Sequence, residues 1–143
     1  MMYQTHSEQE TKQAAAQFAA TLHGGDVVFL RGELGTGKTT FVRGVVEYFG
    51  FEGMVRSPTF TLMNRYPINH GSLKTILHVD LYRIENSSEL NTLALEEELG
   101  HSDTIAFIEW PEKDTQHFVT PTHQIQFSCV GTVHEIQYEK ETI

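Results

Sequence analysis

The stretch GELGTGKTT, Gly32–Thr40, decides the fold of this chain. It satisfies the pattern G-x-x-x-x-G-K-[ST], in which glycines let consecutive backbone N–H groups surround a β-phosphate without side-chain clashes. The apolar run DVVFL precedes it and TTFVRGVVEYF follows it, which predicts a strand before the loop and a helix after it, ended by Gly50. Strand, glycine-rich loop and helix in this order are typical of a P-loop nucleotide-binding fold.

The polar residues of this loop have expected roles toward a nucleotide. Lys38 should reach the β- and γ-phosphate oxygens, and the Thr39 hydroxyl should ligate Mg²⁺. The first turn of the following helix adds its partial positive charge. We therefore predict nucleotide binding by a loop that consists of Glu33, Leu34, Gly35, Thr36, Gly37, Lys38, Thr39 and Thr40.

Length and composition indicate a single globular domain over residues 1–143, since 39% of the chain is hydrophobic and 20% is charged. No apolar run reaches the roughly 20 residues of a membrane span, and MMYQTHSEQE lacks the features of a signal peptide. The one cysteine, Cys129, excludes an internal disulfide, and its place in the alternating run IQFSC predicts a buried side chain. We expect a cytoplasmic protein with no membrane partner.

The charge of the chain bears on its partners. Its 19 acidic residues against 10 lysines and arginines give a net charge of −9. A protein that binds nucleic acid by itself normally presents a basic surface, because neutralising phosphates supplies much of the affinity. Direct binding of RNA or DNA is therefore disfavoured, and any role with tRNA is expected to be indirect.

The remaining elements predict a three-layer α/β fold. SEQE, Ser7–Glu10, has capping-box spacing before a first helix, and TILHVD and TIAFIEW are strand candidates separated by a helical segment, SSELNTLALEEELG. Strands that alternate with helices indicate a mainly parallel sheet. HQIQFSC and VHEIQY, separated by Gly131-Thr132, predict an antiparallel C-terminal hairpin at the sheet edge.

Two carboxylates follow predicted strands. Asp80 ends TILHVD and Glu109 ends TIAFIE, so a parallel sheet would bring both to the edge where the phosphate loop lies. We favour metal binding for Asp80, directly or through water, over a turn or capping role. For Glu109, a metal ligand and a base that orients the attacking water are both open. Thr59 in SPTFTL could supply a further hydroxyl near the γ-phosphate, but an ordinary proline turn that enters a strand explains this segment equally well.

Four motifs of the chain together resemble the bacterial TsaE family, which consists of ATPases of tRNA threonylcarbamoyladenosine biosynthesis. In chain order, the motifs are GELGTGKTTFVRG, VRSPTFTL, HVDLYR and IEWPE. The resemblance covers roughly residues 7 to 112. It implies a P-loop ATPase with Mg²⁺ as cofactor and ATP as substrate, weakly active alone. It also implies two partners, the threonylcarbamoyl-transferase subunit TsaD and its companion TsaB. The resemblance implies that ATP hydrolysis resets the complex of these partners between rounds of tRNA modification.

The same resemblance implies roles for individual residues. Lys38 and Thr39 match the phosphate and Mg²⁺ residues, Asp80 the Walker B acid, and Glu109 the Mg²⁺-associated glutamate. The other matches are Thr59 with the switch-like threonine, Trp110 with the tryptophan beside that glutamate, and Thr11 with the N-terminal segment that approaches the adenine.

Two other functions are open to a P-loop protein of this size. A small-molecule kinase usually carries an arginine-rich lid over its acceptor, and no arginine follows IEWPE in this chain. A GTP switch typically reads guanine with an N-K-x-D segment, and the sequence contains no such run. The kinase is the stronger of these alternatives, and both are less favoured than an ATPase.

Overall fold

A computed structural model describes residues 2–33, 35–58, 61–86, 89, 95–115 and 119–140. Within these residues the chain forms a seven-stranded sheet and helices. The strands are β1 (Met2–Thr5), β2 (Val27–Arg31), β3 (Met63–His70), β4 (Leu73–Asp80), β5 (Thr104–Glu109), β6 (His123–Val130) and β7 (Val133–Lys140). The helices are α1 (Glu8–Ala19), α2 (Lys38–Tyr48), the short α3 (Leu95–Glu98) and a 3-10 helix (Pro111–Lys113). None of the helices in these described ranges is long and apolar enough to cross a membrane.

The strand order is β1-β7-β6-β2-β5-β4-β3. The four central strands, β6, β2, β5 and β4, pair in parallel, and β3, β7 and β1 add antiparallel pairs on the two sides. The predicted α/β fold with a parallel centre and an antiparallel C-terminal hairpin is therefore confirmed. The hairpin is not at the edge, however, because β1 pairs outside β7.

Burial explains which strands are central. Every residue of β5, TIAFIE, is buried, as is typical of a parallel strand covered on both faces. In β3, MNRYPINH, only Tyr66 is buried, and this strand lies at the outer side of β4. The continuous apolar runs thus form the interior of the sheet, and the polar strands close its sides.

Helices α1 and α2 cover one face of the sheet. Phe41 of α2 lies between Phe18 of α1 and Phe127 of β6, with ring centroids 5.7 and 5.4 Å away. Gly44 lets the two helices approach closely, because a Cβ at this position would lie 2.8 Å from the Cβ of Ala15. This packing sets the position of the first turn of α2 relative to the sheet.

A thinner layer covers the opposite face. Its apolar residues are Val27, Phe29, Val79, Leu81, Ile84, Leu95, Ile108 and Val119. Arg65 of β3 holds α3 in this layer through two hydrogen bonds to Glu98, of 2.7 and 2.6 Å. Of the longer helix predicted over SSELNTLALEEELG, the structure shows Leu95–Glu98 as helix. Leu90, Leu93 and Ala94, which would share one face of the predicted helix, lie outside the described residues.

Two local predictions meet different outcomes. Ser7 caps α1 as predicted, since its Oγ accepts a hydrogen bond from the Glu10 N–H, while the Glu10 carboxylate accepts from the His6 N–H. The prediction that Cys129 is buried is wrong, because this residue is exposed. Phe127 is the last buried residue of the alternating run, and Cys129 lies beyond the core beside the Gly131 turn.

Candidate functional site

The glycine-rich loop connects the carboxyl end of β2 to the first residue of α2. Gly32, Gly35 and Gly37 have φ values of 146°, 79° and 101°, in the region that favours glycine. A Cβ on Gly32 would also lie 2.6 Å from the carbonyl oxygen of Phe127. Gly37 is the N-cap of α2 and has no side chain to cap it, so the first N–H groups of the helix are available to an anion.

The loop forms one wall of a cavity of about 490 Å³, a size typical of small-molecule sites. The cavity is lined by His6, Ser7, Glu8, Thr11, Gly35, Gly37, Lys38, Thr39, Thr40, Ser57, Asp80, Glu109 and His134. It therefore brings together most of the residues that the sequence singled out, and its lining comes from six separate parts of the chain.

Some predicted site residues are placed differently. Glu33 and Thr36 are not among the lining residues; instead, the Thr36 hydroxyl donates a 2.6 Å hydrogen bond to the Glu33 carbonyl and so holds the loop together. Leu34 and Thr59 lie outside the described residues. On either side of Thr59, Ser57 lines the cavity and the Leu62 carbonyl accepts a hydrogen bond from the Asp80 N–H.

Lys38 is the cation of the cavity. Its ammonium donates a 2.6 Å hydrogen bond to the Gly32 carbonyl and lies 3.6 Å from Oε1 of Glu109. It also lies 4.6 Å from the centre of the Trp110 ring. The residue is only 4% exposed, so these contacts offset the cost of burying its charge.

Asp80 and Glu109 lie side by side at the ends of β4 and β5, where they are direct register partners. Both are buried. Oδ1 of Asp80 accepts a hydrogen bond from the Tyr82 N–H, and Oε2 of Glu109 lies 2.5 Å from Nε2 of His78. The parallel register therefore brings the two carboxylates to one edge of the sheet, as the strand patterns predict.

Trp110 is held in an unusual backbone conformation directly after Glu109. Its φ of 57° lies in the left-handed region, which aromatic residues rarely adopt. Its ring contacts the ring of Tyr82, with centroids 5.0 Å apart, and the ammonium of Lys38. The indole thus packs against the lysine but is not among the residues that line the cavity.

The N-terminal wall was only partly predicted. Strand β1 pairs with β7 so that Thr5 is opposite His134, and the hydroxyls of Thr5 and Thr11 lie 2.8 Å apart. Nδ1 of His134 lies 3.0 Å from the Thr36 carbonyl of the loop. Sequence reasoning found Thr11 only through a family resemblance and missed His134, because strands far apart in sequence carry no local signal of their pairing.

The donor set at the sheet edge fits Mg²⁺. The Thr39 hydroxyl and the carboxylates of Asp80 and Glu109 are hard oxygen ligands that face one cavity. In the described part of the chain, no three His, Cys, Asp or Glu side chains form a ready metal cage. Mg²⁺ is usually held by one or two carboxylates together with substrate phosphates and water, so the oxygen donors present here are of the type that it takes.

Several known proteins are similar to this chain. The family model described as "Threonylcarbamoyl adenosine biosynthesis protein TsaE" matches residues 5–140. The tRNA threonylcarbamoyladenosine biosynthesis protein TsaE of Rickettsia bellii is 42% identical over 126 residues, which is 87% of this chain and 84% of that protein. The protein of the same description from Bacillus subtilis is 35% identical over 152 residues, covering 98% of this chain and 92% of the relative. A crystal structure of Bacillus subtilis YdiB matches with a TM-score of 0.74 and 30% identity, over 96% of this chain and 83% of that one.

Proposed function

The chain belongs to the TsaE family, and from this premise we propose that it is a P-loop ATPase. It binds and hydrolyses Mg-ATP to support the threonylcarbamoyladenosine modification of tRNA next to the anticodon. It acts on the threonylcarbamoyl-transferase complex and takes no part in the transfer chemistry on tRNA itself. The single observation that carries this proposal is the convergence of Lys38, Asp80 and Glu109 on one cavity beside the glycine-rich loop.

Each group of the cavity has a part in this reaction. The α2 N–H groups and Lys38 bind the phosphates, since both are positive and face the same space. The Thr39 hydroxyl and the Asp80 carboxylate hold Mg²⁺, directly or through water. When bound, Mg²⁺ neutralises charge on the phosphates. Glu109 either completes that set of oxygen ligands or accepts the proton of the attacking water.

Partners and location follow from the family and from charge. The relatives are described as tRNA threonylcarbamoyladenosine biosynthesis proteins. The net charge of −9 disfavours direct contact with tRNA. Because the family resemblance implies TsaD and TsaB, we infer that these two proteins are the partners. The protein would then work in the cytoplasm, where tRNA is modified.

The substitution Lys38→Ala tests the phosphate site, with Lys74→Ala as the matched control. Lys74 is exposed near the amino end of β4, whereas the site lies at the carboxyl ends of the strands. Lys38→Ala should weaken ATP binding in calorimetry by about 10- to 100-fold, because a hydrogen bond to a charged group contributes about 1.5–3 kcal/mol. Lys74→Ala should bind as the wild type does. Unchanged affinity in Lys38→Ala would defeat the assignment of the loop.

A further inference from the structure

We propose that His78 is a positioning residue for Glu109: it holds one carboxylate oxygen so that the other faces the phosphates. This inference rests on the proposed function, because it concerns the same site. His78 does not line the cavity and is 0% exposed, so it can act only through a neighbour. The neighbour is Glu109, whose Oε2 lies 2.5 Å from Nε2 of the imidazole.

The two oxygens of Glu109 have different partners. Oε2 contacts His78, and Oε1 lies 3.6 Å from the ammonium of Lys38. Phosphate oxygens would compete with Oε1 for that ammonium, since Lys38 is the cation that the loop directs at them. The contact between His78 and Oε2 does not depend on Lys38. It therefore keeps the buried carboxylate oriented when the lysine turns to the phosphates.

The chemistry of the imidazole agrees with this role. A carboxylate only accepts hydrogen bonds, so Nε2 of His78 must carry a proton to bond with Oε2. Nδ1 of His78 is buried and has no hydrogen-bond partner among the described residues. A proton on Nδ1 would leave a buried N–H donor without an acceptor, which is costly. The Nε2–H tautomer thus satisfies Glu109 and leaves an unprotonated nitrogen against the core.

The geometry of the sheet supplies this pair of residues. Successive side chains on a strand point to opposite faces, so His78 and Asp80 share one face of β4. On the neighbouring strand, Phe107 is opposite His78 and Glu109 is opposite Asp80. One strand thereby provides both the carboxylate next to Glu109 and the donor that orients it. A metal-site carboxylate is commonly held by a second residue in this way.

Two substitutions separate positioning from packing. The side-chain amide of His78→Gln places an N–H donor near the position of Nε2, where it can reach Glu109. His78→Asn carries the same amide one methylene shorter, near the position of Nδ1, where the described part of the chain offers no partner. A residue needed only for packing would make both variants unstable without separating turnover from binding.

The experiment measures two quantities for the full-length wild type and both variants. The affinity for ADP without Mg²⁺ is measured by the fluorescence of Trp110, the only tryptophan in the sequence. The rate of ATP hydrolysis is measured in a single turnover, with TsaD and TsaB added if the chain alone is too slow. His78→Asn should hydrolyse ATP about 10- to 100-fold more slowly, with little change in Mg²⁺-free ADP affinity. His78→Gln should recover most of that loss. Wild-type turnover in His78→Asn, or equal losses of turnover and ADP affinity in both variants, would overturn the proposal.

A measurement on the wild type reads the tautomer of His78 directly, and the variants serve only to assign its signals. The protein is labelled with ¹⁵N-histidine. The signals of His78 are those that are missing from the His78→Gln spectrum or that shift in Glu109→Gln. In the wild type these signals should show the Nε2–H tautomer. A tautomer with its proton on Nδ1 and none on Nε2 would contradict the positioning role, because Nε2 could not then donate to Glu109. Failure of the proposed function looks different: the wild type with its partners would release no phosphate, and Lys38→Ala would leave ATP affinity unchanged.

Discussion

At the scale of single residues, the chemistry of the site depends on Glu109. Its carboxylate is 4% exposed and has a cation on one side and an imidazole on the other. A buried carboxylate that contacts Lys38 and His78 is well placed to orient the attacking water and accept its proton. We therefore expect Glu109 to matter more for turnover than for binding.

Glu109→Ala tests this expectation. The variant should keep much of its nucleotide affinity, since Lys38 and the α2 N–H groups remain, and should lose turnover by about 100-fold or more if Glu109 acts mainly in the transition state. Calorimetry gives the affinity, and phosphate release gives the rate. Glu52→Ala, at an exposed position outside the cavity, is the control. Equal losses of affinity and turnover would indicate that Glu109 is a metal ligand in the ground state.

At the scale of secondary-structure elements, the close contact between α1 and α2 determines where the loop lies. A Cβ on Gly44 would lie 2.8 Å from the Cβ of Ala15 and 2.9 Å from the Cα of Lys12, closer than packed carbon atoms approach. The helices would have to separate to accommodate it. Since α2 begins at Lys38, such a shift would also reach the phosphate loop.

Gly44→Ala should destabilise the protein, even though alanine is the better helix former. Overpacking costs about 1–3 kcal/mol, which exceeds the gain of about 0.5–1 kcal/mol in helix propensity. Urea unfolding measures the difference. Gln17→Ala, on the exposed side of α1, introduces the same residue without the contact and should change stability by less than about 0.5 kcal/mol. A stabilised Gly44→Ala protein would contradict the close contact.

The link between β3 and α3 should give stability that depends on pH. The hydrogen bonds from Arg65 lower the pKa of Glu98 below its ordinary value of 4.5. A carboxyl whose pKa is lower in the folded state contributes stability above its unfolded pKa, and loses it as the pH falls through the lowered folded value. The two side chains are 51% and 30% exposed, so solvent limits this contribution to about 1 kcal/mol or less.

Thermal melts of wild type and Arg65→Ala check this link. The variant should melt at a lower temperature at neutral pH, and the difference should shrink at a pH well below 4.5, where Glu98 is protonated in both states. Glu98→Gln removes the titrating group. Its melting temperature should be lowered by the same amount as that of Arg65→Ala at neutral pH, and position 98 should contribute no further change in acid. A difference between wild type and Arg65→Ala that grows toward acid pH would contradict the assignment.

At the scale of the whole molecule, a feature could be predicted where a short stretch of sequence carries its signal. The loop and the Asp80 and Glu109 strand ends were predictable, because a glycine motif is local and parallel strands bring their carboxyl ends to one edge. Strand β1 was missed, since its four residues, MYQT, are too short and polar to show a strand pattern. Its pairing with β7, which puts Thr5 opposite His134, depends on contacts between the two ends of the chain.

His78 illustrates the same limit within the site. Its position in the Asp80 strand suggests a core or partner contact, and only the register of β4 against β5 shows that its imidazole reaches Glu109. A hydrogen bond between side chains of different strands has no signature in either strand alone. The residue types of a site can thus be predicted from motifs, but the residues that orient them depend on the fold.

Phosphate release from ATP, measured with the chain alone and with TsaD and TsaB added, decides whether this protein is a partner-stimulated ATPase. Release should be slow with the chain alone and faster with the partners, and both should be lost in Lys38→Ala, whose phosphate site lacks its cation. Two results would contradict this function. One is a phosphoryl group that appears on a small-molecule acceptor in place of water, and the other is full turnover that the partners do not change.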